Sequence, residues 1–192
     1  TMRLPTKPLL ILAACVVVLF TGSSLLAQSN EVTVEAIQAE TQIPVLMPDD
    51  AALAIESPLY PEIIYTDSDG YYVAYGFTEN CADAGFCNYA RVQGYRISST
   101  VSHFKPDSLD ELITERTEVL AEAPHISPDP IETVTLSDNS EATVLPWYSY
   151  ANPGNTEVIF EHDGIRYLFA IEMAPNADVI SMANSALTSS PE

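Results

Sequence analysis

Residues 157–173, EVIFEHDGIRYLFAIEM, leave the rest of the chain few choices. Asp163-Gly164 at the centre is a favoured two-residue turn, because glycine tolerates the positive φ of a type I′ hairpin. A turn there pairs His162 with Ile165, Glu161 with Arg166, Phe160 with Tyr167, Ile159 with Leu168 and Val158 with Phe169. Side chains alternate along a strand, so one face carries Val158, Phe160, Ile165, Tyr167, Phe169, Ile171 and Met173. The other carries Glu157, Ile159, Glu161, Arg166, Leu168 and Glu172, with Glu161 opposite Arg166 as a favourable cross-strand pair. At about 25 cal/mol per Å2 of apolar area, burying the first face contributes on the order of 10 kcal/mol before conformational entropy is subtracted. A slip of one residue would turn that face to water, which pins the register. Pro175-Asn176 then breaks the strand. Residues 177–188 read as a helix with Val179, Ile180, Ala183, Ala186 and Leu187 on one stripe.

Similar signals recur upstream. Residues 63–65 and 71–77 flank Asp67-Ser68-Asp69-Gly70 as a first hairpin, and residues 89–97 form a third strand. Residues 131–136 and 142–148 flank Asp138-Asn139 as another hairpin. Ser108 and Glu111 make a capping box that opens a helix over 108–123. Leu109, Leu112, Ile113, Val119, Leu120 and Ala123 follow at helical spacing until Pro124. Ile43-Pro44-Val45-Leu46-Met47-Pro48 is an apolar segment stiffened by two prolines. It is expected on the core as an extended strand or arm at a sheet edge, since proline cannot donate to a ladder. The order predicts a single α+β domain over 43–190, an antiparallel sheet of successive hairpins with helices packed on one face. Residues 28–42, polar and poor in large apolar side chains, read as a flexible acidic linker.

Residues 1–27 have a basic start (Arg3, Lys7), an apolar run over 9–20 and small residues before Ala27, the layout of a secretory signal peptide. Two other readings stay open. Residues 9–27 are long enough for an uncleaved membrane anchor, and Leu12-Ala13-Ala14-Cys15 matches a lipobox that would lipidate Cys15. Each places the body outside the cytoplasm, periplasmic or secreted. The chain holds 27 acidic and 7 basic residues; setting aside Arg3 and Lys7 leaves 5 basic against 27 acidic, a formal −22. Such a surface repels nucleic acid and anionic lipid, so neither is expected as a partner of the folded domain, and membrane contact is confined to the N-terminal segment. The acidity is dispersed, which suits solubility.

Cys81 and Cys87 lie six residues apart in a loop between two strands. In an exported domain they are expected to form a disulfide. A zinc site would need two further Cys or His, and a redox pair would be Cys-x-x-Cys; neither pattern occurs. Asp67 and Asp69 could begin a calcium loop, but position twelve from Asp67 is Thr78 rather than Glu, and turn chemistry accounts for both aspartates. His103, His125 and His162 show no paired spacing. No nucleophile elbow, phosphate loop or dinucleotide fingerprint is present. Paired carboxylates acting as an acid/base hydrolase of cell-wall or extracellular polysaccharide remain a second reading, resting only on the abundance of acids. The candidate binding surface is Trp147, Tyr148 and Tyr150, aromatics ahead of Asn152-Pro153-Gly154.

The 43–48 segment, the cysteine pair after a tyrosine-rich strand, Gly164-Ile165-Arg166-Tyr167 and Ala183-Asn184-Ser185-Ala186 together resemble an uncharacterised family of bacterial, largely cyanobacterial, exported proteins. The similarity runs over 43–187. It implies export and an α+β domain and lends no activity. The function expected is therefore a non-catalytic exported accessory or binding protein for an envelope or extracellular ligand, without cofactor. A calcium-binding envelope protein is a further alternative.

Overall fold

Among the described residues, seven strands form one antiparallel sheet in the order β1-β2-β3-β7-β6-β5-β4. They are β1 Tyr60–Asp67, β2 Gly70–Gly76, β3 Asn88–Arg96, β4 Glu132–Thr135, β5 Glu141–Leu145, β6 Asn155–His162 and β7 Ile165–Glu172. The structure, a computed structural model, describes residues 32–53, 55, 57–81, 87–99, 108–122, 129–148 and 154–189. Residues 1–27, with the expected signal or anchor segment, lie outside them, as do Cys15, His103 and His125. No described helix is long and apolar enough to cross a membrane.

The sheet joins two meanders, β1-β2-β3 and β4-β5-β6-β7, along a single β3–β7 seam. Every pairing expected around Asp163-Gly164 is present, from His162 with Ile165 to Val158 with Phe169. Both turn residues have positive φ, 51° and 76°. The Asp67-Gly70 hairpin also closes, without positive φ in its turn and with one register shift between Ile63 and Tyr65. Met173 departs from the expected apolar face. The strand stops at Glu172, and Met173 takes a φ of 49° and is half exposed.

One face of the sheet, here called inner, holds Tyr71, Val73, Tyr75, Val92, Val144, Val158, Phe160, Tyr167, Phe169 and Ile171. Helix α3, Asn176–Ser189, covers it with Val179, Met182, Ala183 and Ala186. Val73, Val92, Phe169, Val158 and Val144 make one continuous cross-strand row. In the next row Gly94 lies between Tyr71 and Tyr167. A Cβ on Gly94 would sit 2.6 Å from the Tyr71 ring, so the ring rests where a larger residue would stand.

The helices do not all lie on one face, as the sequence reading had them. Helix α2, Leu109–Glu122, covers the outer face, with Leu109, Leu112 and Ile113 packed against Leu145, Ile159, Leu168 and Ala170. The cause is in the hairpin itself, whose second face also carries the apolar Ile159 and Leu168. The capping box is reciprocal. The Glu111 amide donates to Ser108 Oγ at 3.1 Å, and the Ser108 amide donates to Glu111 Oε2 at 3.1 Å.

Two further readings are corrected. Residues 32–42 belong to the folded body rather than to a linker. Thr33 caps a short helix α1, Val34–Gln38, and Ile37 is completely buried in the inner core. Residues 43–48 form no strand and follow no edge. Two prolines deny them a ladder, and they run as an arm over the inner face, held by tyrosine hydroxyls. The Tyr71 hydroxyl accepts from Leu46 N at 2.9 Å and donates to Leu46 O at 3.1 Å. Tyr167 donates to Pro44 O at 3.1 Å. Tyr71 stands on β2 and Tyr167 on β7, so the arm passes over the intervening β3.

Candidate functional site

The outer face carries a charge cluster that forms only once the sheet is complete. Arg91 on β3, Ala170 on β7, Glu157 on β6 and Leu145 on β5 stand in one cross-strand row. Ala170 is small, which lets the Arg91 guanidinium reach over β7 to Glu157 Oε1. From α2, Arg116 Nη2 donates to Glu157 Oε2 at 3.3 Å. Two arginines thus share one carboxylate that is nine-tenths buried as a side chain.

The two arginines are not equivalent. Arg116 is 12% exposed, and its Nη1 donates to the carbonyls of Pro146 and Asn155. It fastens α2 to the ends of β5 and β6. Its Cζ lies 4.7 Å from the centroid of the Tyr148 ring, so the same guanidinium supports that aromatic from beneath. Arg91 is 31% exposed and, among the described residues, bonds only Glu157, with its Nε buried and meeting no partner there.

Of the candidate surface, Trp147 and Tyr148 are both half-buried at the end of β5. The Trp147 amide donates to Thr156 Oγ1 at 3.2 Å, and that hydroxyl in turn donates to the Ala174 carbonyl. Backbone and ring are therefore both anchored. Tyr150 lies outside the described residues. Sequence reasoning named the aromatics but missed Arg91, Arg116 and Glu157, which are 66 and 41 residues apart as pairs. The one available signal was scarcity: in so acidic a chain each arginine is conspicuous. The four described arginines all face carboxylates, Arg96 meeting Asp69 at 3.6 Å and Arg166 meeting Glu161 at 2.7 Å.

Cys81 and Cys87 sit at disulfide distance, with Cα atoms 5.7 Å apart, which fits an oxidising compartment. The pair packs onto the end of β2. A Cβ on Gly76 would lie 2.5 Å from Cys81 Cβ, and Phe77 N donates to Cys87 O at 3.2 Å.

Asp67 and Asp69 act as turn residues. Asp67 Oδ1 accepts from the amides of Asp69 at 2.8 Å and Gly70 at 3.1 Å, and Oδ2 accepts from the Tyr65 hydroxyl. Burial pulls the Asp67 carboxyl upward, yet the hydrogen bonds from Tyr65 and the two amides hold it below its ordinary range. With Arg96 beside Asp69, this turn is already satisfied, and no group of three acids, histidines or cysteines able to hold a metal occurs among the described residues. His162 lies 3.4 Å from Asp163 at the hairpin tip.

Two hollows lie elsewhere. One, of about 410 Å3, is open on the acidic outer side of α2 at Asp110, Glu111, Thr114, Glu115 and Glu118. The other, of about 350 Å3, is lined by Asp50, Leu53, Ile55, Ser57, Pro58 and Leu59. Neither is lined by the arginine–aromatic cluster. No protein-family model matches the chain, and no curated protein matches it at a significant level.

Proposed function

We propose that this chain is an exported, non-catalytic binding protein that docks an envelope or extracellular ligand on the Trp147–Tyr148 platform. The observation that carries the reading is the anchoring of Tyr148. Arg116 lies against its ring while its own donors are held by Pro146, Asn155 and Glu157. An aromatic fixed before binding loses little conformational freedom on contact, which favours recognition. The cysteine pair and the family resemblance support a periplasmic or secreted location, and the acidic surface supports solubility there.

The test uses the purified chain and the washed envelope fraction of the producing cells. Wild type is expected to co-sediment with that fraction, and the Trp147→Ala/Tyr148→Ala double variant to remain in the supernatant with an unchanged circular dichroism spectrum. Equal retention of the two would remove the platform from the function. Intact mass of the protein from the same cells reads the leader's processing and the cysteine pair together; an unprocessed chain with both thiols free would contradict export.

A further inference from the structure

We infer that the hollow at Asp50 is a binding site for a small organic cation, an ammonium group on a compact apolar body. This site is separate from the Trp147–Tyr148 platform and does not depend on it. The hollow, of about 350 Å3, is lined by Asp50, Leu53, Ile55, Ser57, Pro58 and Leu59. Such a volume lies toward the lower end of small-ligand pockets, about 300–1,000 Å3. Its apolar wall belongs to the inner core. Leu53 is 2% exposed there, and Ile55 and Leu59 are partly buried against the same cluster. A short 3-10 turn, Asp50–Leu53, presents Asp50, and the Asp49 amide just before it donates to Ser185 Oγ of α3 at 3.0 Å. The wall is therefore formed before any ligand arrives, and contact with it costs little conformational entropy.

The oxygen-bearing groups of the lining set the ligand's chemistry. Neither the Asp50 carboxylate nor the Ser57 hydroxyl has a hydrogen bond or ion pair among the described residues. The described arginines pair with other carboxylates, Glu157, Asp69 and Glu161. Asp50 is exposed, yet its field also reaches inward. Burial first, and then the Asp50 carboxylate, push the Tyr75 hydroxyl above its ordinary value, and that tyrosine is 3% exposed. A charge felt through the protein interior is screened less than one surrounded by water. An ammonium group in the hollow meets the Asp50 carboxylate and donates to Ser57 Oγ, while its apolar body covers Leu53, Ile55 and Leu59. No lining residue is basic and the chain has a formal charge of −20, so an organic anion is repelled. A bare metal ion gains nothing from the apolar wall, and one carboxylate and one hydroxyl are too few oxygens for calcium.

The experiment follows the Ile55 and Leu59 methyl groups by NMR in the full chain titrated with benzylammonium, benzyl alcohol, methylammonium or benzoate. Benzylammonium is expected to shift both residues along one saturable curve, and each other probe to bind at least about fivefold more weakly. Asp50→Asn keeps the shape and is expected to weaken benzylammonium by about five- to tenfold, between an exposed ion pair and a charge-assisted hydrogen bond. Asp49→Asn, outside the lining, is expected to change it by less than about twofold. The methyl spectra of the free variants check that the fold is kept. Benzyl alcohol or benzoate matching benzylammonium would overturn the role of charge, and methylammonium matching it would overturn the apolar body. An equal loss in the two variants, or none in Asp50→Asn, would overturn the assignment to Asp50. No saturable shift at Ile55 and Leu59 with any probe would overturn the site itself.

Discussion

Replacing Tyr71 by phenylalanine removes one oxygen and leaves two backbone groups of Leu46 without their partner. That hydroxyl accepts from Leu46 N at 2.9 Å and donates to Leu46 O at 3.1 Å, and both residues are buried. Pro44 and Pro48 keep the arm from pairing as a strand, so no ladder stands ready to take those groups over. Each buried group left unpaired costs about 1–3 kcal/mol. With some relaxation of the arm, Tyr71→Phe is expected to lose about 2–4 kcal/mol, or about 5–15 °C in Tm for a domain of this size. The assay is urea unfolding with the m-value monitored, since an unchanged m assigns the loss to the folded state. Two companions set the scale. Tyr167→Phe loses only the bond to Pro44 O and is expected to cost about half as much. Tyr75→Phe loses a weak contact to Met47 Sδ at 3.9 Å and is expected to cost under about 1 kcal/mol. Tyr71→Phe within about 0.5 kcal/mol of wild type, or less harmful than Tyr75→Phe, would refute the account of the arm.

Glu157→Ala leaves Arg116 without its carboxylate and is expected to cost about 2–4 kcal/mol, below the fully buried limit because Arg91 is partly solvated; hydrogen exchange in Leu109–Glu122 should accelerate first. Gly76→Ala drives a methyl into Cys81 and is expected to leave free thiol at Cys81 and Cys87, read by alkylation after denaturation. Reducing the pair in wild type is expected to lower stability by about 2 kcal/mol by lengthening the free loop of the unfolded chain. Asp67 and Asp138 both lie below their ordinary 3.8, Asp138 because the Ser140 hydrogen bonds outweigh burial. Depressed carboxyls lend stability above that value and lose it as pH falls through their folded range, so Asp67→Asn/Asp138→Asn should flatten the acid limb of a Tm–pH profile. Burial raises Glu172 above 4.5, which has the opposite sign: its contribution is lost as pH rises, and Glu172→Gln should gain Tm at neutral pH.

Local chemistry was readable in the sequence wherever one segment decides its own shape. The Asp163-Gly164 register, the Ser108–Glu111 box and the α3 stripe depend on neighbours in the chain. Met182 alone was missed from that stripe, where it is fully buried. Helix α1 escaped notice because it is one short turn, too brief to show a helical period, with a single fully buried residue, Ile37. The strand order was not readable, because β3 meets β7 across the whole α2 and β4–β6 insertion. The charge cluster was hidden for the same reason: Arg91 and Glu157 become neighbours only through that seam. The aromatics were visible as a run of residue types, but the cation beneath Tyr148 comes from a helix over thirty residues away.

The β3–β7 seam bears on how the polypeptide matures. Ala90 must find Ile171 and Arg96 must find Ile165, whereas all the other strand pairings join consecutive strands. Such distant closure is slow, since chain entropy opposes it until both meanders exist. During synthesis the early meander therefore waits with an open backbone edge on β3, a template for stray pairing between molecules. Completion of the C-terminal hairpin seals that edge and brings Arg91 to Glu157 in the same event, so a nascent or truncated chain shows both a bare strand edge and a guanidinium without its carboxylate.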